Sequence, residues 1–195
     1  MAHLFRNLYP FFLTLLILSG FILLVFQNVN AFTSSATQDM TFSNVSVSKY
    51  FSIAFSSALS EGISFGTVSF LPSISINATQ NYNNTDNGTF YFVNVSTDSN
   101  TIVDLCTKTS GSMENSGGDV ILLANETYSN STINSASLPS TLETSLTTSY
   151  FKSGQNISIG GSNYYRFWLD IPAGQPSGTY NNTISFKGVE WGFDC

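Results

Sequence analysis

Beyond residue 31, apolar and polar residues alternate with a period of two, and no stretch carries the 3.6-residue period of an amphipathic helix. From 45 to 55 the odd positions read Val, Val, Lys, Phe, Ile, Phe and the even ones Ser, Ser, Tyr, Ser, Ala, with Lys49 alone out of pattern. Ile63 and Phe65 are in phase before Gly66, and Val68 and Phe70 after it, a phase change that predicts a β-bulge at the glycine. Further short strands are predicted at 90–95, 102–106, 120–123, 146–151 and 164–171. A last apolar face is formed by Tyr180, Ile184 and Phe186, then Val189 and Trp191. Turn chemistry separates these runs: Asn87-Gly88 as a type I′ hairpin, a loop at 111–119, Gly160-Gly161, and 172–178. Segment 124–145 has little pattern and reads as a long loop with one short helix near 138–146. About eight strands at this spacing imply an all-β fold: a single two-layer β-sandwich of immunoglobulin-like or pilin-like topology, with no internal repeat and no second domain.

The first thirty residues differ in kind. One cation, Arg6, precedes an apolar run over 8–26, and Val29 and Ala31 supply small residues at the spacing signal peptidase reads. A signal peptide over 1–31, cut between Ala31 and Phe32, is the expectation, and membrane contact is then confined to export. The run is also long enough to serve as an uncleaved anchor. A type IV pilin leader does not fit, because only six apolar residues follow Gly20. Export places Cys106 and Cys195, the two cysteines of the chain, in an oxidising compartment. An intrachain disulfide, two free thiols and a bond between subunits all remain open on the sequence alone.

Composition narrows the chemistry. Charged residues make up 9% of the chain, against roughly 25% in ordinary soluble domains. Uncharged polar residues fill the deficit: 30 Ser, 19 Thr and 16 Asn after residue 31. His3 is the single histidine and lies in the export segment, which removes Ser-His-Asp and Cys-His catalysis and histidine metal sites from the mature chain. The formal net charge of −6 gives no basic surface for nucleic acid. Twelve scattered carboxylates read as turn and surface residues rather than as a catalytic pair, so no enzyme, metal or cofactor is expected. The stretch 83–88 is closer to a turn than to a calcium loop, lacking the twelve-residue spacing and terminal Glu. Asn-x-Ser/Thr triplets occur at Asn44, Asn77, Asn83, Asn87, Asn94, Asn125, Asn130, Asn156 and Asn181, of which chance supplies roughly five at this Ser and Thr frequency. The cluster at 77, 83, 87 and 94 flanks a loop-like stretch and is the strongest candidate for N-glycans, which would also keep so weakly charged a protein soluble.

Segment 32–43 precedes the first domain strand. It is extended in character and nearly uncharged, has no Pro or Gly, and carries Phe32, Ala36, Met40 and Phe42 at even positions. A free tail of this kind is an edge-pairing hazard unless it is used. It pairs either within its own sandwich as an ordinary first strand or in a groove of a neighbouring copy as a donated strand. Head-to-tail donation does not close on itself and builds an open filament.

Two stretches resemble a known family. Ser43-Asn44-Val45-Ser46-Val47-Ser48, leading into Leu59-Ser60-Glu61-Gly62-Ile63-Ser64-Phe65-Gly66-Thr67-Val68, resembles the start of archaeal thread-filament and bundling-pilus subunits. Phe167-Trp168-Leu169-Asp170-Ile171-Pro172-Ala173-Gly174-Gln175-Pro176-Ser177-Gly178-Thr179-Tyr180 resembles their penultimate hairpin. The resemblance implies a secreted, densely N-glycosylated β-sandwich head over 44–195, a donor strand over 32–43, and an extracellular homopolymer serving adhesion or biofilm cohesion. The sequence leaves two other functions standing: an anchored or surface-layer adhesin, and a carbohydrate-binding module using Trp168 and Tyr164 as a stacking face.

Overall fold

A computed structural model describes residues 14–17, 40–83, 88–135 and 143–195. The chain divides into two compact units, Met1–Ser46 and Val47–Cys195. In the first, residues 14–17 are helical and residues 40–46 have no regular structure. Most of the export segment, including Ala31, lies outside the described residues, and no described helix is long and apolar enough to cross a membrane.

The second unit is all-β. Its strands are β1 (Ile53–Phe55), β2 (Ser73–Asn77), β3 (Phe92–Val95), β4 (Val103–Thr109), β5 (Met113–Glu114), β6 (Val120–Ile121), β7 (Glu126–Ser131), β8 (Thr144–Ser145), β9 (Phe151–Ile157), β10 (Ser162–Ile171) and β11 (Ile184–Glu190). A five-residue helix, α1 (Ser57–Glu61), follows β1, its first turn capped by the Ser56 hydroxyl accepting from the Leu59 amide. The larger sheet runs β1-β3-β10-β7-β8, with β2 also on β10; the smaller runs β11-β4-β9; β5 and β6 form a separate hairpin. All ladders are antiparallel.

The core lies between the two sheets. Tyr165 and Phe167 of β10, Val93 and Val95 of β3, and Tyr128 of β7 face Val103 and Leu105 of β4 and Ile157 of β9, all buried. Edge-on ring contacts join the layers: Tyr165 meets Phe186 at 5.2 Å and Phe55 meets Phe186 at 5.5 Å between centroids. Gly188 of β11 is required by close approach, since a Cβ there would lie 2.9 Å from the Phe51 ring and 3.1 Å from Val103.

Strand β10 organises the larger sheet. Tyr164 is opposite both Phe92 of β3 and Ser131 of β7, while Trp168 is opposite both Asn77 of β2 and Thr127 of β7. β3 and β2 therefore share one edge of β10, and the interval between them is filled by a side chain. The buried Asn81 amide donates to the Phe167 carbonyl at 2.7 Å, and its oxygen accepts from the Phe167 N–H at 2.9 Å, so it stands in for a missing strand residue.

Several predicted elements differ in the structure; the strand expected over 146–151 is reduced to Phe151, where β9 begins, and the loop expected over 111–119 contains β5. Residues 45–52 are not a strand; Asn100 holds this stretch instead, its side chain accepting from the Tyr50 N–H at 2.7 Å and donating to the Ser48 carbonyl at 3.0 Å. Residues 62–69 carry no ladder, so Gly66, at φ +69° with its N–H donating to the Ser64 hydroxyl, is not a bulge between paired strands. The loop expected over 124–145 contains β7 and β8; of the short helix expected near 138–146, residues 138–142 lie outside the described residues and Thr144–Ser145 are the strand β8 instead.

Candidate functional site

Segment 64–70 forms no ladder with any strand among the described residues. Among the described residues its one backbone–backbone hydrogen bond is from the Thr79 N–H to the Ser64 carbonyl, at 2.8 Å. Two side chains also engage this backbone, the Ser64 hydroxyl accepting from the Gly66 N–H at 3.2 Å and the Ser73 hydroxyl donating to the Phe70 carbonyl, while the other backbone groups carry no ladder. Beside it opens a cavity of about 640 Å³. Its floor is apolar: Met113, Ile121 and Leu169, buried together, with Phe65 and Ile171 packed on them. The far wall is the 175–180 turn, fixed where Gln175 donates to the Tyr180 hydroxyl at 2.9 Å and that hydroxyl donates to the Pro176 carbonyl at 2.7 Å.

A second cavity of about 250 Å³ adjoins the first, sharing Ile63, Met113 and Tyr180 with it. This section is walled by Phe55, Leu59, Ile184 and Phe186 and contains a buried carboxyl group, Glu126. Glu126 begins β7, opposite Leu169 of β10. One of its oxygens, Oε2, accepts from the Asn182 side-chain amide at 2.6 Å. Burial pushes its pKa up from the ordinary carboxylate value, and the single hydrogen bond from Asn182 offsets only part of that.

At the opposite face the chain end is locked down. Cys195 is bonded to Cys106 of β4 across a Cα–Cα distance of 5.8 Å, so the disulfide is intrachain. Lys187 donates to the Cys195 carbonyl, and Asp104, buried beneath this segment, accepts from the Gly192 N–H at 3.2 Å, the Asn156 N–H at 2.8 Å and Lys152 Nζ at 2.9 Å. Burial alone would raise the Asp104 pKa; these donors outweigh it and hold it below the usual value.

Of the tail residues singled out in the sequence, Met40 and Phe42 are 82% and 97% exposed, and Phe32 and Ala36 lie outside the described residues. Among the sequons, Asn44, Asn77, Asn156 and Asn181 are exposed; Asn83, Asn94, Asn125 and Asn130 are half-buried; Asn87 is outside the described residues. The Asn130 amide nitrogen, the atom that would carry a sugar, donates to Asn163 at 3.4 Å. Trp168 is 4% exposed and Tyr164 packs against Phe92 with centroids 5.6 Å apart, so Trp168 offers no stacking face for a sugar. Glu126 escaped the sequence reading because β7 buries Glu126 and Ser129 where a core strand would carry aliphatic residues. The available signal was a lone Glu in a tract of Ser, Thr and Asn. Comparison with protein-family models, characterised proteins and solved structures finds no match to this chain.

Proposed function

We propose that this protein is the structural subunit of an extracellular, glycosylated filament, assembled head to tail as segment 32–43 of one copy enters the groove of the next. The observation that carries the reading is the groove itself: an apolar floor bordered by the unladdered backbone of 64–70. An inserted strand would satisfy that backbone, and its alternate side chains would cover Met113, Ile121 and Leu169. Three or four such side chains at about 1.5–3 kcal/mol each make a durable joint. The tail's sequence matches: it is uncharged except for Asp39 and carries apolar residues at even positions, Phe32, Ala36, Met40 and Phe42. Its root is fixed where Asn100 grips 48–50 and Lys49 pairs with Glu190. Sugars on exposed asparagines would keep such a polymer dispersed, and its length would suit adhesion or cohesion between cells.

Electron microscopy of the mature chain with and without 32–43 tests this. Filaments are expected from the complete chain and none from the shortened one; filaments from both would overturn the reading. Sequencing the mature N-terminus supplies a second test, with Phe32 expected.

A further inference from the structure

The strand registers give the sandwich two distinct ends. At one, the end of β10 lies beside the starts of β2 and β7, and the end of β4 beside the start of β11. Both cavities lie toward this groove end, lined there by Ile171, Glu126 and Ile184. At the other, the starts of β1, β4 and β10 meet the ends of β3, β9 and β11. The root of the tail is fixed at this second end, where Asn100 grips Ser48 and Tyr50 and the Ser96 N–H, just past β3, donates to the Ser52 carbonyl. Exposed large apolar side chains gather at both ends. Tyr50, Ile102, Ile159, Trp191 and Phe193 crowd the root end: Ile102 precedes β4, Ile159 is in the turn from β9 to β10, and Trp191 and Phe193 follow β11. Phe70, Leu71 and Ile74, around the start of β2, and Leu122, just before β7, mark the groove end. Apolar patches of this kind mark surfaces that another molecule covers.

We infer that the root end of each head seats on the groove end of a second copy, covering Trp191 on the first and Leu122 on the second. This rests on the strand-insertion reading above and adds the head surfaces that meet outside the groove. Chain length brings them together. Ser48 is held at the root end, and Ser43, the last residue of the donated segment, is five residues before it. A fully extended chain spans at most about 3.6 Å per residue, so the receiving groove begins within about 18 Å of Ser48. Strand β10 alone, ten residues at about 3.3 Å each, is about 33 Å long. The receiving groove end therefore lies well within one head's length of the donor's root end. Seating unlike ends covers both patches along the whole row and does not close on itself. Seating like ends would cover one patch of each molecule and leave the other in water.

Three aspartate substitutions in the mature chain, tail intact, test the contact: Trp191→Asp at the root end, Leu122→Asp at the groove end and Ile133→Asp between them. The three side chains are similarly exposed, at 57%, 65% and 68%. Ile133 belongs to the loop whose Ser135 carbonyl accepts from Arg166, midway along β10. All three should melt within about 3 °C of the parent, because none is a core residue. Trp191→Asp and Leu122→Asp should each raise the critical concentration for filament formation at least tenfold, since each presses a charge into an apolar contact, and Ile133→Asp should raise it less than about threefold. Below the variants' critical concentrations, an equimolar mixture of Trp191→Asp and Leu122→Asp should form heterodimers, each chain supplying the end that the other lacks, while either alone stays monomeric. Equal critical concentrations for all three variants overturn the inference. So do dimers of either end variant alone, which would mean that like ends pair. The shortened chain keeps the two levels apart. If removing 32–43 abolishes filaments while both end variants assemble like Ile133→Asp, the end-to-end contact is wrong and strand insertion stands. If filaments persist without 32–43, strand insertion falls and the inference with it.

Discussion

Two buried carboxyl groups of this sandwich sit in opposite circumstances. Asp104, on β4, is enclosed by the chain's own C-terminal end and has three donors; Glu126, on β7, lies in an open groove and has one. The same chemistry therefore gives opposite pKa shifts, down for Asp104 and up for Glu126. The difference teaches where the fold is complete. At Asp104 the molecule has supplied every partner from its own chain. At Glu126 one donor leaves burial dominant, and the nearby 64–70 backbone carries no ladder, which in the proposed assembly a second copy would cover.

Opening the closed end should have the largest effect. Cys106→Ser with Cys195→Ser releases a bond that spans 89 residues, and the loop-entropy model gives a loss of about 4 kcal/mol, read by denaturant unfolding. If the tail stays seated through Asp104 alone, amide exchange at Gly192 will remain slow in this variant, and the clamp is then polar rather than covalent. Asp104→Ala should follow, at about 3 kcal/mol, because it leaves two backbone N–H groups and Lys152 facing a buried hole. A loss below 1 kcal/mol would mean that water replaces the carboxylate and that the site is less closed than its burial indicates.

The same contrast applies to sheet edges. Along β10 the gap between β2 and β3 is closed by Asn81, whereas along 64–70 nothing comparable is present among the described residues. Asn81→Leu keeps the volume but leaves the Phe167 N–H without its partner and the Phe167 carbonyl with the Ala78 N–H alone, at an expected cost of about 1–3 kcal/mol in thermal or denaturant melts. A neutral outcome would show that the Ala78 N–H, which also donates to the Phe167 carbonyl at 3.0 Å, suffices for that edge.

How legible each region was in the sequence follows from its physics. The alternating runs of β3, β4 and β10 announced an all-β fold, because they bury one apolar face against the opposite layer. The cysteine count pointed to a bond that the structure contains. Polar burial hid the rest. β7 is held in the sheet with Tyr128 as its one large apolar core residue, and β2 follows Pro72 with Ile74 exposed, so neither shows the expected period. Segment 63–70 misled in the other direction: its alternation is that of a strand, but it forms no ladder among the described residues. The groove was therefore visible in the sequence only as a strand pattern, and its carboxyl group not at all.

The smallest predicted effect separates the two acids most directly. Asp104 titrates below its ordinary 3.8 in the folded state, so its stabilisation is complete above that value and is lost as pH falls through the folded pKa. Glu126 titrates above its ordinary 4.5, so the folded state favours its neutral form; that contribution is complete below 4.5 and is lost as pH rises through the folded pKa. Thermal melts of the unassembled chain across pH should therefore show Asp104→Asn losing the decline on the acid side and Glu126→Gln losing part of the decline toward neutrality. At pH 7 Glu126→Gln should raise Tm slightly, by at most about 3 °C. In assembled filaments the Glu126→Gln difference should shrink, because a donor from the inserted strand would offset the burial that raises the carboxyl's pKa. A Glu126→Gln profile parallel to the parent's in both forms would mean that the carboxyl is hydrated through the open groove, and the contrast with Asp104 would then reduce to one of solvent access.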